Sequence, residues 1–202
     1  MTIDVADAAV VEVYRTLVEV VTPRPIAWVT SSDPHGSVNL APFSFFNAFG
    51  ANPPVVVFSP IRRRDGTEKD TLLNVEATGE FVLNAAVEPL AEQVNLSSKE
   101  LPHGTSEVEL AGLTLRPSTR VGVPRIAEAP VSLECRVLQI IPVGDGPLSA
   151  NLVLGQVVMI HVDDAILDDS GRVNPRKLRT IARLGGSDYC RTTDLFAMER
   201  PT

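Results

Sequence analysis

Prolines and glycines divide this chain into many short segments, with 16 prolines and 13 glycines among 202 residues. The segments between them are rich in Val, Ile and Phe, a composition typical of short β-strands. Residues 26–31 and 37–41 are two such runs, and Asp33-Pro-His-Gly36 between them is a strong turn sequence, so a β-hairpin is predicted here. A chain punctuated in this way favours a fold made mainly of short strands.

A second hairpin is predicted where residues 131–143 and 151–163 flank the turn sequence Gly144-Asp-Gly-Pro147. Two further strands, bounded by Pro or Gly, are predicted at residues 55–59 and 80–84. Short helices are predicted at residues 70–79 with Asp70 as N-cap, at 90–96 and at 175–184. Many strands with a few peripheral helices indicate a mainly β fold, a barrel with small helical additions.

No repeat or low-complexity linker divides the sequence, so one domain is expected over residues 1–202. Its core is placed at about residues 20–165, with a C-terminal helix and tail at 166–202.

The apolar runs are far shorter than a membrane span, and the acidic N-terminus is unlike a secretory signal. Cys135 and Cys190 have no metal-ligand spacing with histidine, so no metal site is predicted. A disulfide stays open as an alternative, and a reduced, cytoplasmic protein is the simpler interpretation.

The charge of the chain is acidic overall and basic at one place. Lys and Arg total 18 against 25 Asp and Glu, a formal net charge of −7, which argues against nucleic acid as the main partner. Residues 62–69 carry four cations and two anions and directly precede the helix predicted at Asp70. The free N–H groups of a helix start, with Lys69 and Thr71, would form a phosphate-binding site. The alternative is a solvated basic loop followed by an ordinary helix cap.

An aromatic segment follows the first hairpin. Asn39-Leu-Ala-Pro-Phe-Ser-Phe-Phe-Asn47 holds three of the seven phenylalanines beside Ser and Asn side chains. A planar heteroaromatic ring needs flat apolar contact together with a few fixed donors and acceptors, and this segment offers both. The alternative is a core strand that leads into a turn.

Several motifs, in this order along the chain, resemble the flavin reductase-like, FMN-binding split-barrel family. They run from about residue 20 to about residue 190 and therefore cover nearly the whole chain. The motifs include residues 23–30, 39–44, 69–71, 79–84, 109–113, 129–135, 155–161 and 183–186, with Tyr189. Each is weak alone, and the ordered set is specific for the family, though not for one reaction within it.

The resemblance implies a six-stranded Greek-key split barrel that forms a homodimer, with FMN rather than FAD near the subunit interface. The positions implied to line the flavin ring are Thr30, Ser31, Ala41, Pro42, Phe43, Ser44 and Asn47. The positions implied to hold the phosphate are Ser59, Lys69 and Thr71, with Asp70 capping the helix behind it. Asn84 is expected to face the same cleft, and Arg183 and Tyr189 to close over flavin or substrate.

The resemblance also implies the activity, transfer of a hydride from NAD(P)H to flavin and of electrons onward to an unidentified acceptor, such as a monooxygenase partner. His161 is expected to contact nicotinamide or reduced flavin; the alternative is a strand-end histidine satisfied by Asp163 or Asp164. For Arg183 the alternative is a cation at a helix C-terminus. A Gly-Asp-His signature for nicotinamide is absent. A flavoredoxin-like electron carrier reduced by a protein partner, or a split-barrel binding module without catalysis, therefore stay open.

Overall fold

A computed structural model of the chain describes residues 1–101 and 105–201, so His103, in a loop predicted between residues 97 and 107, lies outside it. The α-helices of the described residues are α1 (Val10–Val20), α2 (Asp70–Thr78), α3 (Ala91–Leu96), α4 (Glu107–Leu110) and α5 (Pro175–Leu178). The strands are β1 (Arg24–Pro25), β2 (Ala27–Ser32), β3 (Val38–Phe43), β4 (Phe46–Ala51), β5 (Pro54–Phe58), β6 (Glu80–Ala85), β7 (Leu115–Arg116), β8 (Arg125–Ile126), β9 (Val131–Val143), β10 (Ala150–Val162), β11 (Ile181–Arg183) and β12 (Tyr189–Arg191).

One antiparallel sheet closes into a barrel. Its strand order is β3-β2-β6-β9-β10-β5-β4, and only two residues separate the end of β3 at Phe43 from the start of β4 at Phe46. The sheet must therefore curl until its two edges meet. β3 and β4 act as one bent strand that pairs with β2 before the bend and with β5 after it. Counted in this way the barrel has six strands, which confirms the expected split barrel.

Both predicted hairpins are confirmed. β2 pairs with β3 from Ala27 opposite Phe43 to Ser32 opposite Val38. In the turn, the Asp33 carboxylate accepts hydrogen bonds from backbone N–H groups at 2.9 and 2.8 Å, and Gly36 has a φ of 90° that favours glycine. β9 and β10 form the longer hairpin, 13 residues in each strand. The contacts of Asp33 and the conformation of Gly36 therefore favour the first pairing locally.

Three phenylalanine rings pack together in the barrel core. Phe58 packs against Phe43 and Phe81 with ring centroids 5.3 and 5.1 Å apart. Phe81 lies against Gly155 of β10 so closely that a Cβ atom at position 155 would overlap its ring. Gly155 is thus needed for close packing of strand and ring.

A second apolar cluster lies outside the barrel, between β2 and the short helices. It includes Trp28, Leu40, Val94 and Ile181. Trp28 is fully buried, and its indole Nε1–H donates to Ser97 Oγ at 2.8 Å. This cluster fastens α3, α4 and the C-terminal hairpin β11–β12 to the barrel. No helix among the described residues has both the length and the apolar character needed to cross a membrane.

Two helix predictions need correction. The predicted C-terminal helix ends at Leu178, because Arg179 takes the left-handed conformation (φ 52°) and the chain continues as β11, paired with β1 and β12. Asp70 is the first residue of α2 and not its cap; the cap position is Lys69, whose side chain makes no capping bond. Gly79 ends α2 as predicted, with a φ of 70°. α1 was not predicted at all.

Candidate functional site

The start of α2 carries a positive charge without an anionic partner. Lys69 is partly buried and forms no ion pair with any residue in the described ranges. Burial, and then the neighbouring Arg63, lower the pKa of Lys69, although Glu100 and Asp70 oppose the shift. Arg63 itself donates to the Asp70 carboxylate at 3.3 Å. A bound phosphate would relieve the cost of the Lys69 charge, so these residues fit that group.

Two hydrogen bonds connect the first turns of α2 to the barrel strands. Asn39 of β3 donates its side-chain amide to Thr71 Oγ1 at 2.8 Å, and Asn74 donates to Ser31 Oγ of β2 at 3.1 Å. Thr71 and Ser31 are buried. These bonds fix the start of α2 against β2 and β3, and the roles of Ser31 toward the ring and of Lys69 and Thr71 toward the phosphate stay predictions.

β3 is an end strand of the described sheet, so its outer edge pairs with no further strand. The backbone N–H of Leu40 donates to Glu107 Oε2 at 3.2 Å instead of to a strand. Burial raises the pKa of this carboxyl. Further along the edge, Ala41 and Pro42 are partly exposed, whereas the Phe43 ring is buried in the core. Phe43 can therefore offer only its backbone to a ligand.

A cavity of about 500 Å³ lies at the other end of β3; we name it the Arg183 cavity. It is lined by Ile26, Pro42, Ser44, Asn95, Ser98, Arg183, Ser187 and Tyr189. The Arg183 guanidinium lies over the Tyr189 ring, 4.5 Å from its centroid, and donates to Gly186 O at 2.8 Å. Arg183 lies in a strand opposite Tyr189, so its assignment to a helix C-terminus is wrong.

Arg24 is a site residue that sequence reasoning missed. It is 5% exposed, and its Nε donates to Ser44 Oγ at 3.3 Å. Its remaining donors bond to backbone carbonyls, including those of Val21 at 2.9 Å and Leu184 at 3.0 Å. The only signal in the sequence is an arginine between two prolines just before an apolar strand.

The polar side-chain groups of Thr30 and Asn84 are hydrogen-bonded within the protein. The Thr30 hydroxyl donates to Pro124 O at 2.7 Å. Asn84 donates to Trp28 O at 3.1 Å and accepts from Ile126 N at 3.0 Å. Both side chains are buried, so they hold the segment before β9 against the barrel. Their contact with flavin stays a prediction.

Ser59 and Asn47 lie apart from the Arg183 cavity. Ser59 is buried, its Oγ has no partner among the described residues, and it lines a different cavity of about 410 Å³ with Tyr14 and Phe45. Asn47 is exposed on β4, where its Oδ1 accepts from Ala48 N at 2.8 Å. Their roles toward the phosphate and the ring stay predictions.

His161 is paired with a carboxylate from the neighbouring strand. Its Nε2 lies 2.5 Å from Glu134 Oε1, so Asp163 and Asp164 are not its partners. Asp163 instead accepts from Ala165 N. Glu134 is fully buried and also accepts from the backbone N–H groups of Thr119 at 2.7 Å and Arg120 at 2.5 Å. The pair fixes the segment before β8 on the barrel wall, and His161 does not line the Arg183 cavity.

The Glu134 interactions predict a pH dependence of stability. Burial favours the neutral acid, but the N–H groups and His161 outweigh it and hold the pKa of Glu134 below its ordinary value. The unfolded chain then binds more protons than the folded one, so this stabilisation is present above the ordinary glutamate pKa of about 4.3 and is lost as pH falls through the lowered value. We expect the free energy of unfolding, measured by urea denaturation, to fall less steeply with acid in Glu134→Gln than in the wild type.

The control for this measurement is Glu92→Gln, at an exposed position of α3, which should keep the wild-type slope. An unchanged slope in Glu134→Gln would contradict the assignment.

Comparisons with known proteins identify the family of the chain. The family model described as "Flavin reductase like domain" matches residues 20–181. The chain is 45% identical over 193 residues to an uncharacterized protein of Halalkalibacterium halodurans, covering 95% of this chain and 92% of the other. It is 35% identical, with a TM-score of 0.91, to nitrilotriacetate monooxygenase component B from Bacillus cereus, covering 98% of each chain. It is also 35% identical, with a TM-score of 0.88, to 2-nitrobenzoate 2-nitroreductase NbaA from Pseudomonas fluorescens, covering 100% of this chain and 97% of that one. The family model covers most of the chain, so the chain belongs to the flavin reductase-like domain family.

Proposed function

We propose that the protein binds FMN and acts as a flavin oxidoreductase, taking a hydride from NAD(P)H and passing electrons to a further acceptor. The observation that carries this proposal is the course of β3. The strand starts beside the first turn of α2, where Asn39 bonds to Thr71, and ends at Phe43, next to Ser44 of the Arg183 cavity. The five steps from Asn39 to Ser44 span about 16 Å at about 3.3 Å per residue, comparable to an extended ribityl phosphate with its ring.

The phosphate would be held at the start of α2. Lys69 supplies a positive charge and Thr71 a hydroxyl at the start of α2, where a helix N-terminus carries free N–H groups and a partial positive charge. Asn39 fixes the Thr71 side chain and so couples this end of the site to β3. A preorganised cation and helix start bind an anion without first reorganising.

The ring would lie along Ala41 to Ser44. Backbone groups of an open strand edge can hydrogen-bond the polar edge of a flavin. The buried Phe43 ring anchors this backbone in the core, and Arg24 fixes the Ser44 hydroxyl. FMN, when bound, supplies the hydride-accepting chemistry, and the protein contributes binding, orientation and local charge.

We also propose that the protein works as a homodimer in the cytoplasm. Large apolar side chains are exposed on α1 and β4, for example Val20 and Phe49, each 68% exposed. Contiguous exposed apolar surface marks association sites. The name of the similar Bacillus cereus protein, a monooxygenase component B, supports an oxygenase partner that uses the electrons.

Anaerobic titration of the FMN-loaded protein tests the activity. We expect NADH or NADPH to bleach the flavin absorbance in a stoichiometric way, and readmitted oxygen to restore it. Retention of FMN without bleaching by either nucleotide would contradict hydride transfer from NAD(P)H, and failure to take up FMN would contradict the proposal as a whole.

A further inference from the structure

The Arg183 cavity has a charge balance unlike that of the whole chain. None of the side chains that line it is acidic, and Arg183 is one of them. Arg24 lies directly behind Ser44. Within residues 1–101 and 105–201, neither arginine forms an ion pair with a carboxylate. The Arg24 donors bond to Ser44 and to backbone carbonyls, whereas Arg183 donates to Gly186 O alone among the described residues. In a protein of net charge −7, the Arg183 guanidinium is therefore available to an anion from outside.

The Arg183 guanidinium is held ready for a ligand. Contact with the Tyr189 ring and the hydrogen bond to Gly186 O restrict its motion, and the β11–β12 pairing fixes both residues. A guanidinium has five N–H donors, and one bond to Gly186 leaves the others available. Such a fork suits the two oxygens of a carboxylate or phosphate.

The other lining groups complete an organic-anion site. Ser44 accepts from Arg24 Nε, and its own O–H has no acceptor among the described residues, so it is available to donate. Ser98 and Ser187 lie at exposed positions on the rim, and Ile26 and Pro42 provide an apolar floor. Polar groups over apolar contact orient a ligand that has a charged end and a flat body.

Nearby acidic groups do not cancel this charge. Glu19 packs against Gly185, and Asp188 precedes Tyr189, but both are exposed and neither lines the cavity. Charges in solvent are screened far more strongly than those at a partly enclosed cavity. Lys99, beside Ser98, adds a further exposed cation.

We propose that the Arg183 cavity binds the carboxylate or phosphate group of an organic substrate with a flat apolar body, beside the proposed flavin. The inference deepens the proposed function by naming the class of the second substrate. Arg183 and Ser44 grip the anionic group, and Arg24 acts as a positioning residue for Ser44.

The test is calorimetric titration of the full-length protein with benzoate, phenyl phosphate and the neutral benzamide. We expect at least one anion to bind about tenfold or more tighter than benzamide, and Arg183→Gln to abolish the preference. The tighter of the two anions identifies the source as carboxylate or phosphate. The matched control is Arg176→Gln, which removes the same charge from an exposed position of α5 and should keep the preference.

A second variant tests the proposal independently, in case Arg183→Gln does not fold. Ser187→Asp adds a carboxylate at the exposed rim and should also abolish the preference. Equal binding of anions and benzamide by the wild type, or an unchanged preference in both variants, would overturn the proposal. FMN affinity, measured separately on each variant, shows whether the proposed flavin site is intact, so the two failures are distinguishable.

Discussion

Replacing Lys69 with alanine will weaken FMN binding by about ten- to hundredfold. The reason is the loss of a charge-assisted contact to phosphate, worth about 1.5–3 kcal/mol. Lys69 has no ion-pair partner in the described part of the chain, so its charge is available to a ligand. Fluorescence titration of FMN with wild-type and Lys69→Ala protein measures the ratio of dissociation constants. The same titration with riboflavin, which lacks the phosphate, should show no difference between the two proteins.

The matched control is Arg64→Ala, which removes one positive charge from the same basic segment at an exposed position. It should leave FMN affinity within about twofold of the wild type, since exposed charges contribute little. An equal loss in Arg64→Ala would mean that only the net charge of the segment matters. An equal loss for riboflavin would mean that Lys69 supports the ring or the fold and not the phosphate.

The largest effect on stability is expected at Phe81. Its side chain is fully buried among the barrel rings, and Phe81→Ala should lower the free energy of unfolding by about 3–5 kcal/mol. Urea denaturation followed by Trp28 fluorescence measures the loss. Phe196→Ala is the control, because this phenylalanine is 86% exposed and its truncation should change stability by less than about 0.5 kcal/mol.

A substitution at Gly155 tests whether the Phe81 ring occupies the space next to β10. Gly155→Ala alone should cost about 1–3 kcal/mol, because the new methyl group meets the Phe81 ring. In the Phe81→Ala background the ring is gone, so the same methyl group enters vacated space and its cost should vanish. Additive losses in the double variant would show that the strand and the ring do not compete for this space.

The hairpins could be predicted because their information is local. Asp33 and Gly36 set the first turn whatever the rest of the chain does. The C-terminal segment could not be predicted in this way. Residues 181–183 have no strong local preference, and their pairing with Arg24–Pro25, far away in sequence, decides that they form a strand. α1 was not predicted from the sequence, and four of its six aliphatic side chains are exposed to solvent, namely Val10, Val11, Leu17 and Val20.

Individual residues of the candidate site could be predicted from the sequence, but the hydrogen bonds that connect them could not. Lys69 and Thr71 stand out through charge and helix position, and the structure brings them together with β3. The His161–Glu134 pair joins residues 27 positions apart, and no sequence pattern marks it. Arg24 is buried by elements from both ends of the chain, so its importance is visible only once those ends meet.

Because the bent strand belongs to both the barrel and the proposed site, binding of a ligand there should also stabilise the barrel. β3 and β4 form the seam at which the sheet closes, and Ala41 to Ser44 run into that seam. A ligand bound there must dissociate before the barrel can open between β3 and β4. Its binding free energy therefore adds to the free energy of opening the barrel. Backbone amide hydrogens of β2 and β5, the strands that pair with β3 and β4, would then exchange with solvent more slowly when the ligand is bound. Loss of the ligand would raise the exchange rate in both strands.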